Sequence, residues 1–298
     1  MSWQIPLEFA ELTEHRDGAL GAAWIRSLPD LVKDLLHRWD CSPDGAMRHG
    51  QVGLVVPVAA PEGPAVLKIS PPVDVNRGEA VVLRRLAGRA AVRLYRDDPE
   101  RCALLLERAD GPFPITNLHA DEAVEVMGQL ALELAVPFPG APMSLAATAG
   151  GWLDETDRRS HGLPDLVTPR ALQRARGAIA VAAADTTSTV LHGDLHEGNV
   201  LAAERRPWLV IDPKGWSGTA AHDGWTVALT RYQALMLDPD PRAVVRRRLR
   251  RFAACARLDE NLVIEIAHAR AVSSLLYEAT TSNDLFGLEL LRLLVNDL

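Results

Sequence analysis

The 298 residues carry 32 basic and 39 acidic side chains, a net charge of -7, with 48% hydrophobic and 24% charged residues. This is length for one large bilobal fold or two modest domains, and the composition excludes a disordered or fibrous chain. The acidic balance argues against a nucleic-acid partner and suits a cationic one; three scattered cysteines, Cys41, Cys102 and Cys255, exclude a disulfide framework or zinc site and fit a reducing cytoplasm.

The start, Met1 to Pro6, has neither a basic region nor an apolar core, and no apolar run approaches the roughly 18 residues of a membrane span, so a soluble cytoplasmic protein is expected. Residues 19–40 set Leu28, Leu31, Val32, Leu35, Leu36 and Trp39 on a helical period, interrupted by Pro29 and closed by the turn Ser42-Pro43-Asp44-Gly45. From Met47 to Ser70 the pattern turns to β, with branched residues from Val52 to Val58, the hairpin signal Pro61-Glu62-Gly63-Pro64, and Ala65-Val66-Leu67-Lys68-Ile69. Residues 74–87 return to helix on Val81, Val82, Leu83 and Leu86. Ala91 to Tyr95 and Cys102 to Glu107 read as two more strands, joined at Asp97-Asp98-Pro99-Glu100.

The expected α+β architecture is therefore a five-stranded antiparallel sheet with one helix, preceded by a leading helix, over residues 1–110. A mainly helical part follows over 111–298. Its helices are expected near 119–136, 149–159, 169–184, 222–236, 240–257, 260–281 and 284–296. One short β hairpin interrupts them, with Ala203-Glu204-Arg205-Arg206-Pro207 as its turn.

That interruption carries the chemistry. Val190-Leu191-His192-Gly193-Asp194-Leu195-His196-Glu197-Gly198-Asn199 is followed by Trp208-Leu209-Val210-Ile211-Asp212-Pro213. Phosphoryl transfer needs positioning and charge neutralisation more than covalent chemistry. Asp194, on a tight loop after a strand, can accept the proton of a substrate hydroxyl. Asn199 and Asp212 offer a neutral oxygen and a carboxylate, the sparse ligand set magnesium takes when phosphates complete its shell. His192 reads as a buried hydrogen-bonding strut, and His196 as a solvated loop residue.

The stretch His192-Gly193-Asp194-Leu195-His196-x-x-Asn199 with Ile211-Asp212-Pro213 resembles the aminoglycoside phosphotransferase family, a branch of the protein-kinase-like fold. Leu54-Val55-Val56-Pro57-Val58, Ala65-Val66-Leu67-Lys68 and Leu104-Leu105-Leu106-Glu107-Arg108 are similar to the streptomycin 6-phosphotransferase and hydroxyurea phosphotransferase group, as are Val200 to Glu204 and Pro207 to Pro213. The likeness runs from about residue 20 to about residue 255. It implies a bilobal fold that binds ATP, with GTP as an alternative, together with Mg2+. Lys68 would contact the α and β phosphates and Glu79 would hold Lys68. Adenine would meet backbone groups of Glu107 to Ala109. Gly50-Gln51-Val52-Gly53 is a reduced glycine loop, leaving Gly50 and Gly53 as the phosphate-covering candidates.

Departures from the protein-kinase pattern narrow the acceptor. Gly193 stands where protein kinases carry arginine, Pro213 follows Asp212 in place of Phe-Gly, and no Ala-Pro-Glu appears downstream. A small-molecule acceptor is expected, a cationic aminoglycoside of the streptomycin type first, then hydroxyurea, a sugar or another metabolite; a catalytically silent kinase-like binding module is the alternative from another class. No nucleic acid, membrane or obligatory protein partner is expected. Asp154, Glu155, Asp157, Glu278 and Asp284 lie on helices that such folds set around the acceptor. Asp223 is expected to cap the helix from 224, in a position where the family braces its catalytic loop. The arginines of 242–251 are expected to form a solvated helix face over Val244, Val245, Leu249 and Phe252. Only Lys33, Lys68 and Lys214 are lysines among the basic residues, which marks positions where a compact ammonium differs from a planar guanidinium. Lys214 reads as a phosphate or substrate contact, or as a solvated turn residue.

Overall fold

The structure, a computed structural model, describes residues 5–281 and 285–297; Asp284 and the first four residues lie outside them. The chain divides into two compact units, Met1–Asp110 and Gly111–Leu298.

In the first unit α1 spans Leu7–Arg38, beginning well before residue 19. Its interruption is at Gly18, with φ 59°, and Pro29 stays inside the helix. Glycine enters this left-handed conformation without a Cβ penalty, so the chain bends there. Strands β1 (Ser42–Pro43), β2 (Arg48–His49), β3 (Leu54–Ala60), β4 (Gly63–Ile69), β5 (Leu94–Asp98) and β6 (Ala103–Glu107) form one sheet in the order β1-β3-β4-β6-β5, with β2 also on β3. The sheet thus has six strands where five were expected. Ser42–Pro43, read as a turn, pairs antiparallel with Val58 and Ala59; proline is tolerated there because the strand is at an edge. β5 begins later than expected and extends through Asp97 and Asp98, with a register shift between Leu94 and Arg96.

One face of this sheet is apolar by alternation: Leu54, Val56 and Val58, then Ala65, Leu67 and Ile69, then Ala103 and Leu105 are buried. They share a core with Phe9, Leu28, Val32 and Leu35 of α1. Each such leucine or isoleucine contributes roughly 1.5–3 kcal/mol. Lys68 alternates to the opposite face of β4. The helix after β4, α2 (Asp74–Leu86), carries Glu79.

The second unit is helical: α3 (Ala120–Leu134), α4 (Leu145–Gly162), α5 (Pro169–Ala183), α6 (Gly224–Ala228), α7 (Tyr232–Met236), α8 (Pro241–Ala256), α9 (Glu260–Thr281) and α10 (Leu285–Asp297). Thr168 and Asp240 cap α5 and α8 through their side chains, each with proline at the first helical position. α9 buries residues all round, including Ile266, Ala269, Val272 and Leu276, and packs against α4, α5, α8 and α10. The single helix expected over 222–236 is instead a 3-10 turn (Ala220–Asp223), α6 and α7, divided at Arg231 with φ 55°. The arginine stretch on α8 is less solvated than expected. Arg248 is buried and donates to the carbonyls of Ala228 and Thr230, while Arg247 and Arg251 pair with Asp121 of α3.

Five two-residue strands frame the motif: β7 (Met143–Ser144), β8 (Val190–Leu191), β9 (Val200–Leu201), β10 (Leu209–Val210) and β11 (Trp216–Ser217). β9 and β10 form the antiparallel hairpin. β8, which delivers Asp194, belongs to a separate sheet with β11 and β7. Among the described residues no disulfide joins Cys41, Cys102 and Cys255. Among the described residues no helix is long and apolar enough to cross a membrane.

Candidate active site

The sequence-chosen residues assemble into one set in each unit. In the first, Lys68 Nζ donates to Glu79 Oε2 at 2.7 Å, and Glu79 is buried. An ammonium on an apolar strand needs such a partner, and the pair fixes where the lysine points. Gly50 and Gly53 close a tight turn, Gly50 N–H donating to Gly53 O at 2.9 Å. Of the two, Gly53 is the more closely packed: a Cβ there would stand 3.0 Å from Ser70 Oγ and 3.4 Å from Lys68 Cε, whereas one at Gly50 would meet nothing within 4 Å. Glu107 ends β6 with its carboxylate accepting the Arg93 N–H, and its own N–H donating to Arg93 O, both at 2.9 Å. Its side chain therefore serves the strand end, and Ala109 follows outside the strand.

In the second unit, Asp194, Asn199 and Asp212 are drawn together by backbone bonds. His192 Nε2 donates to Ile211 O at 2.9 Å, while its Nδ1 accepts the Asp194 N–H at 3.3 Å. One neutral imidazole thus ties the residue before Asp212 to Asp194. Burial holds its pKa down to about 4, which preserves the tautomer both bonds need, since a protonated Nδ1 cannot accept. His192 is the strut the sequence suggested. Asn199 Nδ2 donates to Asp194 O at 2.9 Å, and Ile211 N–H donates to Asn199 O at 3.0 Å. With its amide nitrogen so committed, Asn199 has its side-chain oxygen left for a cation. Asp212 sits at φ 60°, a left-handed conformation rare for a residue with a Cβ and enriched at functional sites. Amide oxygen plus carboxylate is hard oxygen chemistry, so the donors fit magnesium.

Sequence reading singled out Asp223 and Lys214 without their partners, and it missed Arg231 and Glu197. Asp223 is not a side-chain cap for α6; its two oxygens accept the N–H groups of Gly193 at 2.9 Å and His192 at 3.1 Å. Burial pushes its pKa up to about 7, against the opposing pull of Arg270 and the two N–H donors. Arg231 pairs with Glu197, inside the loop, and donates to the carbonyls of Ile115 and Leu118. Lys214 Nζ lies 2.8 Å from Asp212 Oδ2 and 3.7 Å from Asp194 Oδ2. Scarcity of lysine and the place two residues after Asp212 had marked it as a phosphate or substrate contact or a turn residue. His196, by contrast, is half-exposed, its Nδ1 accepting the Gly198 N–H.

A pocket of about 530 Å³ in this unit is lined by α4, α9, Trp216 and His222. Trp216 stacks on His222 at 5.8 Å and Trp152 meets the same ring edge-on at 6.1 Å. Trp152 Nε1 donates to Ser273 Oγ at 2.6 Å. The pocket reaches the loop through Trp216, whose Cδ1 would be 3.5 Å from a Cβ at Gly193. Of the acids expected around the acceptor, Glu155 and Glu278 line it. Hydrogen bonds from Arg158 and Arg159 hold the Glu155 pKa down to about 2. Asp154 and Asp157 do not line the pocket, and Asp157 pairs with Arg176 at 2.8 Å.

A family model described as aminoglycoside/hydroxyurea antibiotic resistance kinase matches residues 38–281. A streptomycin 6-kinase from Streptomyces glaucescens is 34% identical over 278 residues, 92% of this chain and 91% of its own. A hydroxyurea phosphotransferase from Kitasatospora aureofaciens is 38% identical over 220 residues, 72% of this chain and 65% of its own. Among solved structures, aminoglycoside phosphotransferase APH(3'')-Id from Streptomyces rimosus, in complex with ADP and streptomycin, aligns with TM-score 0.51 at 17% identity over 83% of this chain and 98% of its own. The fold is the protein-kinase-like one of the aminoglycoside phosphotransferases, as the resemblance implied.

Proposed function

Because this chain belongs to the aminoglycoside/hydroxyurea antibiotic resistance kinases, we propose that it transfers the γ-phosphoryl group of ATP, with Mg2+, to a hydroxyl of a streptomycin-type aminoglycoside. The observation that carries this reading is the linked set of Asp194, Asn199 and Asp212, tied by His192 and by the Asn199 amide. Magnesium, held by Asn199 and Asp212, would supply charge neutralisation on the phosphates. Lys68, oriented by Glu79, contacts the α and β phosphates. Adenine meets backbone groups of Glu107 to Ala109, and Gly53 keeps the chain close over the Lys68 stem.

Asp194 accepts the proton of the acceptor hydroxyl as its oxygen bonds to the γ-phosphorus. The bond from that phosphorus to the bridging oxygen breaks, and its electron pair leaves with ADP. The acceptor lies along Trp152 and Trp216, with Glu278 as the carboxylate for its cationic groups. Phosphorylation adds negative charge to the drug, which supports resistance as the role.

A second reading, phosphorylation of hydroxyurea, is favoured by the relative of that name. Against it stands the pocket: at about 530 Å³ with two indoles it suits a ligand much larger than hydroxyurea. Measuring ADP release with streptomycin, other aminoglycosides, hydroxyurea and simple sugars separates the readings. Stimulation by streptomycin and not by hydroxyurea is expected. Stimulation by hydroxyurea alone would favour the second reading, and nucleotide binding without transfer to any acceptor would leave a silent binding module.

A further inference from the structure

We propose that Lys214 is a further catalytic residue, whose ammonium contacts the phosphoryl group in flight; this rests on the phosphotransferase reading above. The argument starts from position. In that reading Asp194 addresses the acceptor oxygen and Asp212 addresses the phosphates, so the group being transferred passes between what the two carboxylates hold. Lys214 Nζ is within 2.8 Å of one and 3.7 Å of the other.

The backbone builds this placement. Lys214 N–H donates to His192 O at 2.9 Å, and the left-handed turn at Asp212 followed by Pro213 sends the chain back toward the loop. Gly193, at φ 85°, leaves the space the lysine stem uses: a Cβ there would lie 3.2 Å from Lys214 Cβ and 3.4 Å from its Cγ. The glycine in the motif thus has a second function beyond its turn. It admits Lys214 against the residue that precedes Asp194.

Residue type points the same way. Among 32 basic residues three are lysine, and two of those, Lys68 and Lys214, are paired with acids of the candidate site. A guanidinium on either acid would make a fixed planar fork, whereas an ammonium is a point charge that can move between oxygens on a flexible stem. Phosphoryl transfer places negative charge on the equatorial oxygens, and a cation supplied in cis can stabilise it as an arginine finger does. Lys214 keeps its protons throughout. The acceptor's proton goes to Asp194, the new O–P bond forms, and the electron pair of the breaking bond leaves with ADP.

The rival explanation is that Lys214 only offsets repulsion between two carboxylates. Lys214→Met and Lys214→Arg distinguish the two, measured in the full-length protein. We expect kcat to fall by roughly 10²–10⁴-fold in both, with the melting temperature within about 3 °C and Mg-ADP affinity within about threefold of wild type. The wild type should bind a non-hydrolysable ATP analogue more tightly than ADP, and Lys214→Met should lose that preference, because the contact is to the terminal phosphate. Wild-type kcat in Lys214→Met, or an unchanged preference for the triphosphate, would overturn the proposal alone. Equal losses of stability and of affinity for both nucleotides would assign the lysine a structural role and also overturn it. Failure of the wild type to bind either nucleotide would instead overturn the phosphotransferase reading and this proposal together.

Discussion

Asp223 Oδ1 accepts the N–H of Gly193 at 2.9 Å while its other oxygen accepts that of His192, so one buried carboxylate holds both residues that lead into Asp194. Removing it strands two buried donors, each at a cost of roughly 1–3 kcal/mol. Asp223→Ala should therefore lower the melting temperature by several degrees and reduce kcat about 10–100-fold. Mg-ADP affinity should change far less. Unchanged kcat in a folded Asp223→Ala protein would remove the brace from the mechanism.

The Lys68 and Glu79 pair gives a second expectation, confined to nucleotide. Glu79→Ala leaves a mostly buried ammonium without the carboxylate that orients it, and truncating one partner of such a pair is strongly destabilising. The KM for ATP should rise by about tenfold or more while the KM for the acceptor stays near wild type. Steady-state kinetics with each substrate varied separately reads this, and a matching rise in the acceptor KM would contradict it.

Much of this was legible in the sequence because it depends on local pattern. The branched, apolar run Ala65-Val66-Leu67-Lys68-Ile69 predicts the strand that carries the lysine, and His192-Gly193-Asp194 with Asn199 predicts the loop after a strand. What escaped depends on distant chain meeting. Asp223 reads as a cap because it precedes a helix, yet its partners are thirty residues away. Trp152 and Trp216 stand sixty-four residues apart and carry no shared motif, and only the fold brings them to one pocket. Ser42–Pro43 carries turn chemistry, and only pairing with β3 makes it a strand. Proline is the stronger breaker in sequence, yet Pro29 stays helical and the backbone breaks at Gly18, where no Cβ opposes a left-handed φ.

Acid sensitivity follows from groups that oppose one another. His192, with its pKa held near 4 by burial, stays neutral when an unfolded histidine would charge at about 6.5. Its contribution is complete above about pH 6.5 and is lost as pH falls through about 4, up to roughly 3 kcal/mol. Burial depresses His222 and His268 in the same direction. Asp223 has the opposite sign. Its folded pKa near 7 lies above the ordinary aspartate value of about 3.9, so its contribution favours folding most below about pH 4 and weakens as pH rises toward 7. Stability should fall from pH 6.5 to 4, more steeply in Asp223→Ala than in wild type and less steeply in His192→Gln. Denaturant unfolding across that range measures the slopes, and identical slopes in all three proteins would refute the assignment.

The pocket predicts where acceptor selectivity resides. Glu278 lines it, and among the described residues it forms no ion pair, whereas Glu155 is bonded to Arg158 and Arg159. A free carboxylate is the one able to meet a cationic acceptor without first losing a partner. Glu278→Gln should raise the KM for streptomycin about tenfold with kcat for ATP-saturated enzyme little changed, a loss of uniform binding. Glu155→Gln should act mainly on the local arginines and change that KM less. The reverse order would move the cationic subsite to the α4 side.

The sharpest division of roles is between the two aspartates. In the proposed reaction Asp194 takes the acceptor's proton and is assigned no part in holding nucleotide. Asp194→Ala should lower kcat by several orders of magnitude with Mg-ATP affinity nearly unchanged. Asp212→Ala removes the carboxylate through which magnesium would reach the phosphates, so it should weaken Mg-nucleotide binding itself. It also leaves Lys214 with Asp194 as its remaining carboxylate neighbour, 3.7 Å away. In Asp212→Ala the lysine would then compete with the acceptor hydroxyl for Asp194, and acceptor KM should rise along with the nucleotide dissociation constant. Calorimetry with Mg-ADP and kinetics with varied acceptor, on both variants, test this pattern. Equal losses of nucleotide affinity in the two variants would mean that both carboxylates hold the metal, and the base would have to be sought elsewhere.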